Sequence, residues 1–201
     1  MLWVGLTGGL ASGKSFVGHT LADLGCRLIQ ADELGHQVLL PGAEAYAEVL
    51  HEFGSDILDP DRSINRKKLG EVAFGNPELL EKLSKIVHPR VGARQKRMID
   101  EIVQADPKAI VVVEAAILVE TGSYKKCDRL IVAVCSDEQQ MERAMKRGAY
   151  TREEVRARLS SQLPLEEKLK VADYVIDTSG TKEHTIEQVR AVYDSLRSLS
   201  V

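Results

Sequence analysis

Short apolar runs alternate with amphipathic stretches along this chain. Residues 2–6, 27–31, 110–113, 130–134 and 174–177 are largely apolar and rich in branched side chains, the pattern of strands buried on both faces of a sheet. Between and after them, apolar positions recur at helical spacing over residues 14–24, 43–53, 137–147 and 181–199, and along a segment opened by Asn76 and Pro77. Asparagine at a helix cap with proline at the first helical position, and Thr151 followed three residues on by Glu154, are physical start signals: each supplies or dispenses with an orphan backbone N–H bond. The reading is an α/β protein with a five-stranded parallel sheet between helical layers, a three-layer fold.

The spacing of the strands is uneven. Nearly eighty residues separate the second run from the third, far more than one crossover helix needs. Residues 35–107 therefore read as a crossover plus an inserted helical subdomain. A second, arginine-rich helical segment spans about residues 137–165, leaving a core of about 1–34, 108–136 and 166–201 in one domain. No internal repeat, low-complexity tract or flexible linker interrupts it.

Composition narrows the partners. The chain has 201 residues, with 27 basic against 30 acidic side chains, so no overall positive field draws it to nucleic acid or an anionic membrane. Any phosphate it binds is held locally. Cys26, Cys127 and Cys135 lie far apart in the sequence, with no close pair that reads as a zinc or redox motif, which fits a reducing cytosol; Cys26 and Cys135, beside apolar runs, read as small buried hydrophobes. The opening residues carry no charged leader pattern, and the apolar stretch 109–119 is short and interrupted by Glu114, so neither export nor membrane insertion is expected.

Candidate chemistry begins at Gly8-Gly9-Leu10-Ala11-Ser12-Gly13-Lys14-Ser15, which matches G-x-x-x-x-G-K-[ST] between an apolar strand and an amphipathic helix. In that context glycines let the backbone turn tightly with its N–H groups inward, and the helix N-terminus adds partial positive charge. Lys14 is placed to reach β and γ phosphates, and Ser15 to hold magnesium that arrives with ATP and keeps several waters. The nucleotide set is Gly8, Gly9, Ala11, Ser12, Gly13, Lys14, Ser15 and Phe16.

Nucleotide binding alone does not separate kinase, GTPase and mechanical ATPase. No N-K-x-D guanine-reading segment follows, and the chain is too short for an ABC-type ATPase. A small-molecule kinase needs a carboxylate near the attacking hydroxyl and cations over the transferring phosphoryl group. Asp32, just past the second strand, supplies the first. Arg143 and Arg147, four apart and so on one helix face, supply the second, while Arg152 and Arg156 read as a solvated surface with intrahelical pairs.

These residues resemble the dephospho-CoA kinase family. Residues 5–9 running into 11–15, then Ala31-Asp32 and Pro41-Gly42, look like its opening; His88-Pro89, Ile117-Leu118-Val119-Glu120, Gln140 with Arg143 and Arg147, Arg158 with Gln162, and Ala172-Asp173-Tyr174-Val175-Ile176-Asp177 follow in the family's order. The resemblance covers nearly the whole chain. It implies transfer of the ATP γ-phosphate to the ribose 3′-hydroxyl of dephospho-CoA, the last step of coenzyme A synthesis, with Asp32 as the catalytic acid that accepts or orients the hydroxyl proton. Lys14, Arg143 and Arg147 complete the catalytic set. The implied partners are ATP and dephospho-CoA, with no nucleic acid or membrane, in a cytoplasmic monomer or weak homo-oligomer.

Several positions stay open. His88 reads either as a contact to an acceptor phosphate or as a structural histidine at a helix end. Glu120 either positions substrate or caps a turn, and Glu114 is either an acidic magnesium partner or a strand-end carboxylate facing solvent. Three positions depart from the family pattern: Gln30 replaces an acid two places before Asp32, Ala116-Ile117-Leu118 replaces a proline-leucine-leucine segment, and Thr178 replaces an asparagine. Another P-loop kinase of nucleosides, nucleotides or metabolites is the alternative enzyme, and a nucleotide-dependent switch the alternative class.

Overall fold

A computed structural model describes residues 1–146 and 151–200. Five parallel strands, β1 (Leu2–Gly8), β2 (Arg27–Gln30), β3 (Ile110–Glu114), β4 (Arg129–Val134) and β5 (Tyr174–Asp177), pair in the order β2-β3-β1-β4-β5. Central β1 is zipped on one side to β3, with Val4 opposite Val112 and Leu6 opposite Glu114, and on the other to β4, with Gly8 opposite Ala133. The chain leaves β1 toward one edge of the sheet and later returns to the other, so the loop after β1 lies where strand order reverses, the place where open α/β sheets bind ligands.

Alternation along the strands decides which layer each side chain joins. Leu2, Val4 and Leu6 of β1, Ile110 and Val112 of β3, Ile131 and Ala133 of β4, and Ile176 of β5 form one buried cluster with two helices, α1 (Lys14–Asp23) and α9 (Lys182–Leu199). Val17 and Leu21 of α1, Cys26 before β2, and Val189, Val192 and Leu196 of α9 complete it. The intervening strand residues Val111, Val113, Leu130 and Val132 are buried too. The near-continuous apolar runs of β1, β3 and β4 are therefore strands covered on both faces, whereas edge strand β5 leaves Val175 exposed. Thr181 starts α9 by accepting the His184 N–H at 3.2 Å.

Backbone contacts divide the chain into two compact units, residues Met1–Gln30 with Glu101–Val201, and Ala31–Asp100. In the first, α6 (Asp137–Lys146), α7 (Arg152–Ser160) and α8 (Leu165–Leu169) follow β4, and the Thr151/Glu154 capping box opens α7. In the second, α2 (Ala31–Gln37), α3 (Tyr46–Phe53), α4 (Arg66–Phe74) and most of α5 (Pro77–Ala105) surround Val38, Ala45, Val49, Ile57, Leu69 and Ile86. Asn65 caps α4 by accepting from Lys67 and Lys68 N–H, and Asn76 caps α5 by accepting the Glu78 N–H at 2.9 Å. Ion pairs of Glu48 with Arg90, Glu52 with Lys82 and Glu44 with Arg97 clasp α3 and its approach to α5.

The expected strands are present, with shifted ends. β1 continues to Gly8 and β3 to Glu114, while the second strand stops at Gln30 because Ala31 already begins α2. The helix expected over 43–53 starts at Tyr46, after a turn in which Gly42 takes a left-handed φ of 79°. Among the described residues no helix is long and apolar enough to cross a membrane.

Candidate active site

The loop after β1 is built by close approach. A Cβ on Gly8 would lie 2.4 Å from Ser12 Oγ and 2.5 Å from the Ala133 carbonyl, so only glycine fits where strand turns into loop. Ser12 N–H donates to the Gly9 carbonyl at 3.2 Å, and Ala11 and Gly13 take left-handed φ values of 57° and 85°. That geometry costs nothing for glycine but on the order of 1–2 kcal/mol for alanine. Burial of Ala11 against Ala144 of α6 and Val155 of α7 helps hold it there. Helix α1 starts with no side-chain cap on its first N–H groups and no acid in its first turn. Its positive end is thus left for an external anion.

Three polar side chains converge on Glu114, the last residue of β3. Ser15 Oγ donates to Oε1 at 2.6 Å, Gln30 Nε2 donates to Oε2 at 3.1 Å, and Lys14 Nζ stands 3.8 Å from Oε1. The residue is 3 % exposed, which rules out a strand-end carboxylate facing solvent. Gly18 of α1 makes room for it, since a Cβ there would come within 3.2 Å of Oε2. An acid at position 30 would set a like charge against Glu114; the amide of Gln30 gives it a hydrogen bond instead.

The opposite wall of the loop belongs to α6, α7 and α8. Gln162 Oε1 accepts the Leu10 N–H at 3.0 Å, and Leu10 joins Met141 and Leu159 in the apolar patch around Ala11. Lys168, 1 % exposed, donates to Glu120 Oε1 at 2.7 Å and to the Ala116 carbonyl at 3.1 Å. The same Glu120 oxygen accepts the Leu163 N–H at 3.1 Å, and the Ala116 carbonyl also accepts from Thr7 Oγ1 at 3.2 Å. Position 116 must therefore offer its carbonyl to two donors. A cleft of about 470 Å³ opens beside this wall, lined among others by Gly9, Gln140, Arg156, Gln162 and Lys168.

Arg143 of α6 is fixed by the segment after β5. Its Nη1 donates to Thr178 Oγ1 at 3.0 Å and its Nη2 to the Thr178 carbonyl at 2.7 Å. Two of the five guanidinium N–H groups are thereby committed, and three remain for another acceptor. Burial pushes the Cys135 thiol up from its ordinary range, with Arg143 and the Thr178 hydrogen bond acting against that shift.

Lys14, Ser15, the rest of the loop and Arg143 lie in the first unit, as does Phe16, over whose ring Lys182 Nζ stands at 5.8 Å. Asp32 is the second residue of α2, in the second unit, immediately after β2 ends. His88 is exposed in the middle of α5, not at a helix end. Glu120 does more than cap a turn: it is the ionic partner of Lys168. Arg147 lies outside the described residues. Nothing in the sequence marks Lys168, Thr178 or Gln30 as a site residue. A lysine in Glu-Glu-Lys-Leu looks like solvated surface, and the threonine and glutamine register only as departures from a pattern.

A family model described as dephospho-CoA kinase matches residues 2–184. The chain belongs to the dephospho-CoA kinase family. It is 42% identical to a dephospho-CoA kinase of Geobacillus kaustophilus over 95% of this chain and 94% of that one, and 41% identical to one of Carboxydothermus hydrogenoformans over 94% and 91%. Among solved structures, a Thermus thermophilus protein superimposes with a TM-score of 0.80 at 29% identity, covering 97% of both chains. A dephospho-CoA kinase from Campylobacter jejuni gives 0.70 at 28% identity, covering 99% of this chain and 98% of that one. A shikimate kinase from Acinetobacter baumannii, at 16% identity and a TM-score of 0.51, shares the fold.

Proposed function

We propose that this chain transfers the γ-phosphoryl group of ATP to the ribose 3′-hydroxyl of dephospho-CoA, giving coenzyme A and ADP. The observation that carries this reading is the meeting of Lys14, Ser15 and Glu114 at the uncapped start of α1, in a chain of this family. The glycine-built loop and the helix end supply N–H groups for the phosphates, and Lys14 adds a positive charge for the β and γ oxygens.

Ser15 and Glu114 are hard oxygen donors 2.6 Å apart, a set that suits magnesium. When bound with ATP, the ion neutralises charge on the phosphates. In the proposed chemistry Asp32 orients the acceptor hydroxyl and takes its proton; because that proton leaves late in a loose transition state, orientation matters more than basicity. Arg143, held by Thr178, and Arg147 stabilise charge on the transferring group. Residues 35–107 bind the acceptor, with His88 and Glu120 on the acceptor side. Residues 137–165 serve as the lid that excludes water, which otherwise competes for the phosphoryl group. The free thiols support a reducing, cytoplasmic setting.

The deciding experiment is ATP consumption by the purified protein with magnesium, with and without dephospho-CoA, and mass spectrometry of the acceptor. ADP release that depends on dephospho-CoA, with one phosphoryl group added at the ribose, establishes the activity. ATP binding without acceptor-dependent turnover rejects the acceptor and leaves another metabolite kinase to be sought.

A further inference from the structure

Besides holding Arg143, Thr178 sits at a junction between the phosphate loop and the end of β4. Its backbone N–H donates to the Val134 carbonyl at 2.8 Å, which pins the residue to the end of β4. Its hydroxyl lies 2.8 Å from the Ser12 carbonyl and 3.1 Å from the Val134 carbonyl, so its single hydrogen is shared with Ser12 as the nearer acceptor. The same oxygen accepts from Arg143 Nη1 at 3.0 Å. Thr178 is 5 % exposed and Ser12 fully buried, so water does not compete for these bonds.

The Ser12 carbonyl belongs to the peptide that ends at Gly13 N–H. In a planar trans peptide the two point in opposite directions. Holding the carbonyl toward Thr178 therefore aims the Gly13 N–H away from it, on the side of the loop where a phosphate is cradled. The contact is also tight. A Cβ on Gly13 would come 2.8 Å from Thr178 Oγ1, so the glycine is required by Thr178 as well as by its left-handed φ of 85°.

We propose that Thr178 is a positioning residue for phosphoryl transfer: one hydroxyl sets the Ser12–Gly13 peptide of the phosphate loop and orients Arg143 of α6. The loop and the arginine are thereby aligned through a single side chain anchored on the sheet. This rests on the phosphotransfer reading above.

The test is Thr178→Val, which keeps the shape and removes both the donor and the acceptor, beside Thr178→Ser, which keeps the hydroxyl. Thr178→Val is expected to lose about tenfold or more in kcat, the scale of a lost hydrogen bond to a charged group, with little change in KM for dephospho-CoA, and to weaken ATP binding several-fold in calorimetric titration. Thr178→Ser restores most of both. In an Arg143→Ala background Thr178→Val costs markedly less, because part of its effect runs through the arginine.

Equal kcat and ATP affinity in folded Thr178→Val, with only a lower melting temperature, would overturn the proposal, as would a full additive loss in the Arg143→Ala background. If Thr178→Val does not fold, Thr178→Ser and Thr178→Ala carry the same comparison. If the wild-type protein shows no turnover with dephospho-CoA, the phosphotransfer reading itself fails, and the ATP titration alone still decides whether Thr178 sets the loop.

Discussion

Ser15 Oγ and Glu114 Oε1 lie 2.6 Å apart, joining the first turn of α1 to the last residue of β3. One side chain comes from the phosphate-loop motif and the other from a strand end with no motif of its own, and the parallel register that sets Leu6 opposite Glu114 brings them together.

Glu114→Gln keeps the shape of this contact and removes its charge. In the folded variant the magnesium concentration needed for half-maximal turnover is expected to rise several-fold and kcat to fall by about 10²-fold, comparable to losing one electrostatic contact to a transferring group. Magnesium titration of initial rates reads both. An unchanged magnesium dependence, with only a lower melting temperature, would mean that Glu114 merely buttresses Ser15 and Lys14.

Lys14 and Asp32 are assigned to different stages of one reaction, and their variants should separate. Lys14→Ala removes positive charge at the γ-phosphate and is expected to weaken ATP binding and nearly abolish turnover. Asp32→Asn leaves ATP affinity close to wild type while turnover falls by about 10²-fold or more, the usual range for a general base. Calorimetric ATP titration beside steady-state rates distinguishes the two. Normal turnover in Asp32→Asn removes that residue from the chemistry.

Lys168 is buried against Glu120 at 2.7 Å, and stripping one partner from such a pair leaves an uncompensated charge. Lys168→Met is expected to destabilise the fold by about 3–5 kcal/mol, lowering the melting temperature by roughly 2–4 °C per kcal/mol for a chain of this size. Replacing both partners, Lys168→Met with Glu120→Leu, should recover most of that loss, because an apolar pair of similar volume needs no partner. Chemical denaturation of the three variants checks it. If the double variant is as unstable as the single one, Glu120 is held chiefly by the Leu163 N–H and not by the lysine.

Local signals in the sequence were enough to find the strands, the caps at Asn76 and Thr151, and the phosphate loop, because each depends on residues close together in the chain. The Asn76 bond to Glu78 and the Thr151/Glu154 box involve neighbours within one turn of helix. The contacts that tie the site together do not. Gln162 reaches Leu10 across 152 positions, Thr178 reaches Ser12 across 166, and Lys168 reaches Ala116 across 52. Their side chains look unremarkable in sequence because what selects them is a carbonyl or amide brought near only by sheet order. Glu114 shows the same limit: a strand-end acid could face solvent or the loop, and burial against Gly18 decides it.

The thiol of Cys26, 5 % exposed and placed just before β2, is pushed by burial from 9.0 up to about 12. In the unfolded chain it ionises near its ordinary value, so between about pH 9 and 12 the unfolded state has lost a proton that the folded state keeps. Folding stability falls with rising pH wherever the folded state binds more protons, and below pH 9 the group contributes no pH dependence. Wild-type protein is therefore expected to lose stability more steeply above pH 9 than Cys26→Ala does, with the two curves parallel below it. Urea unfolding of both proteins from pH 7 to 11 measures this difference. Curves that stayed parallel throughout would show that the folded protein lets Cys26 ionise at its ordinary value.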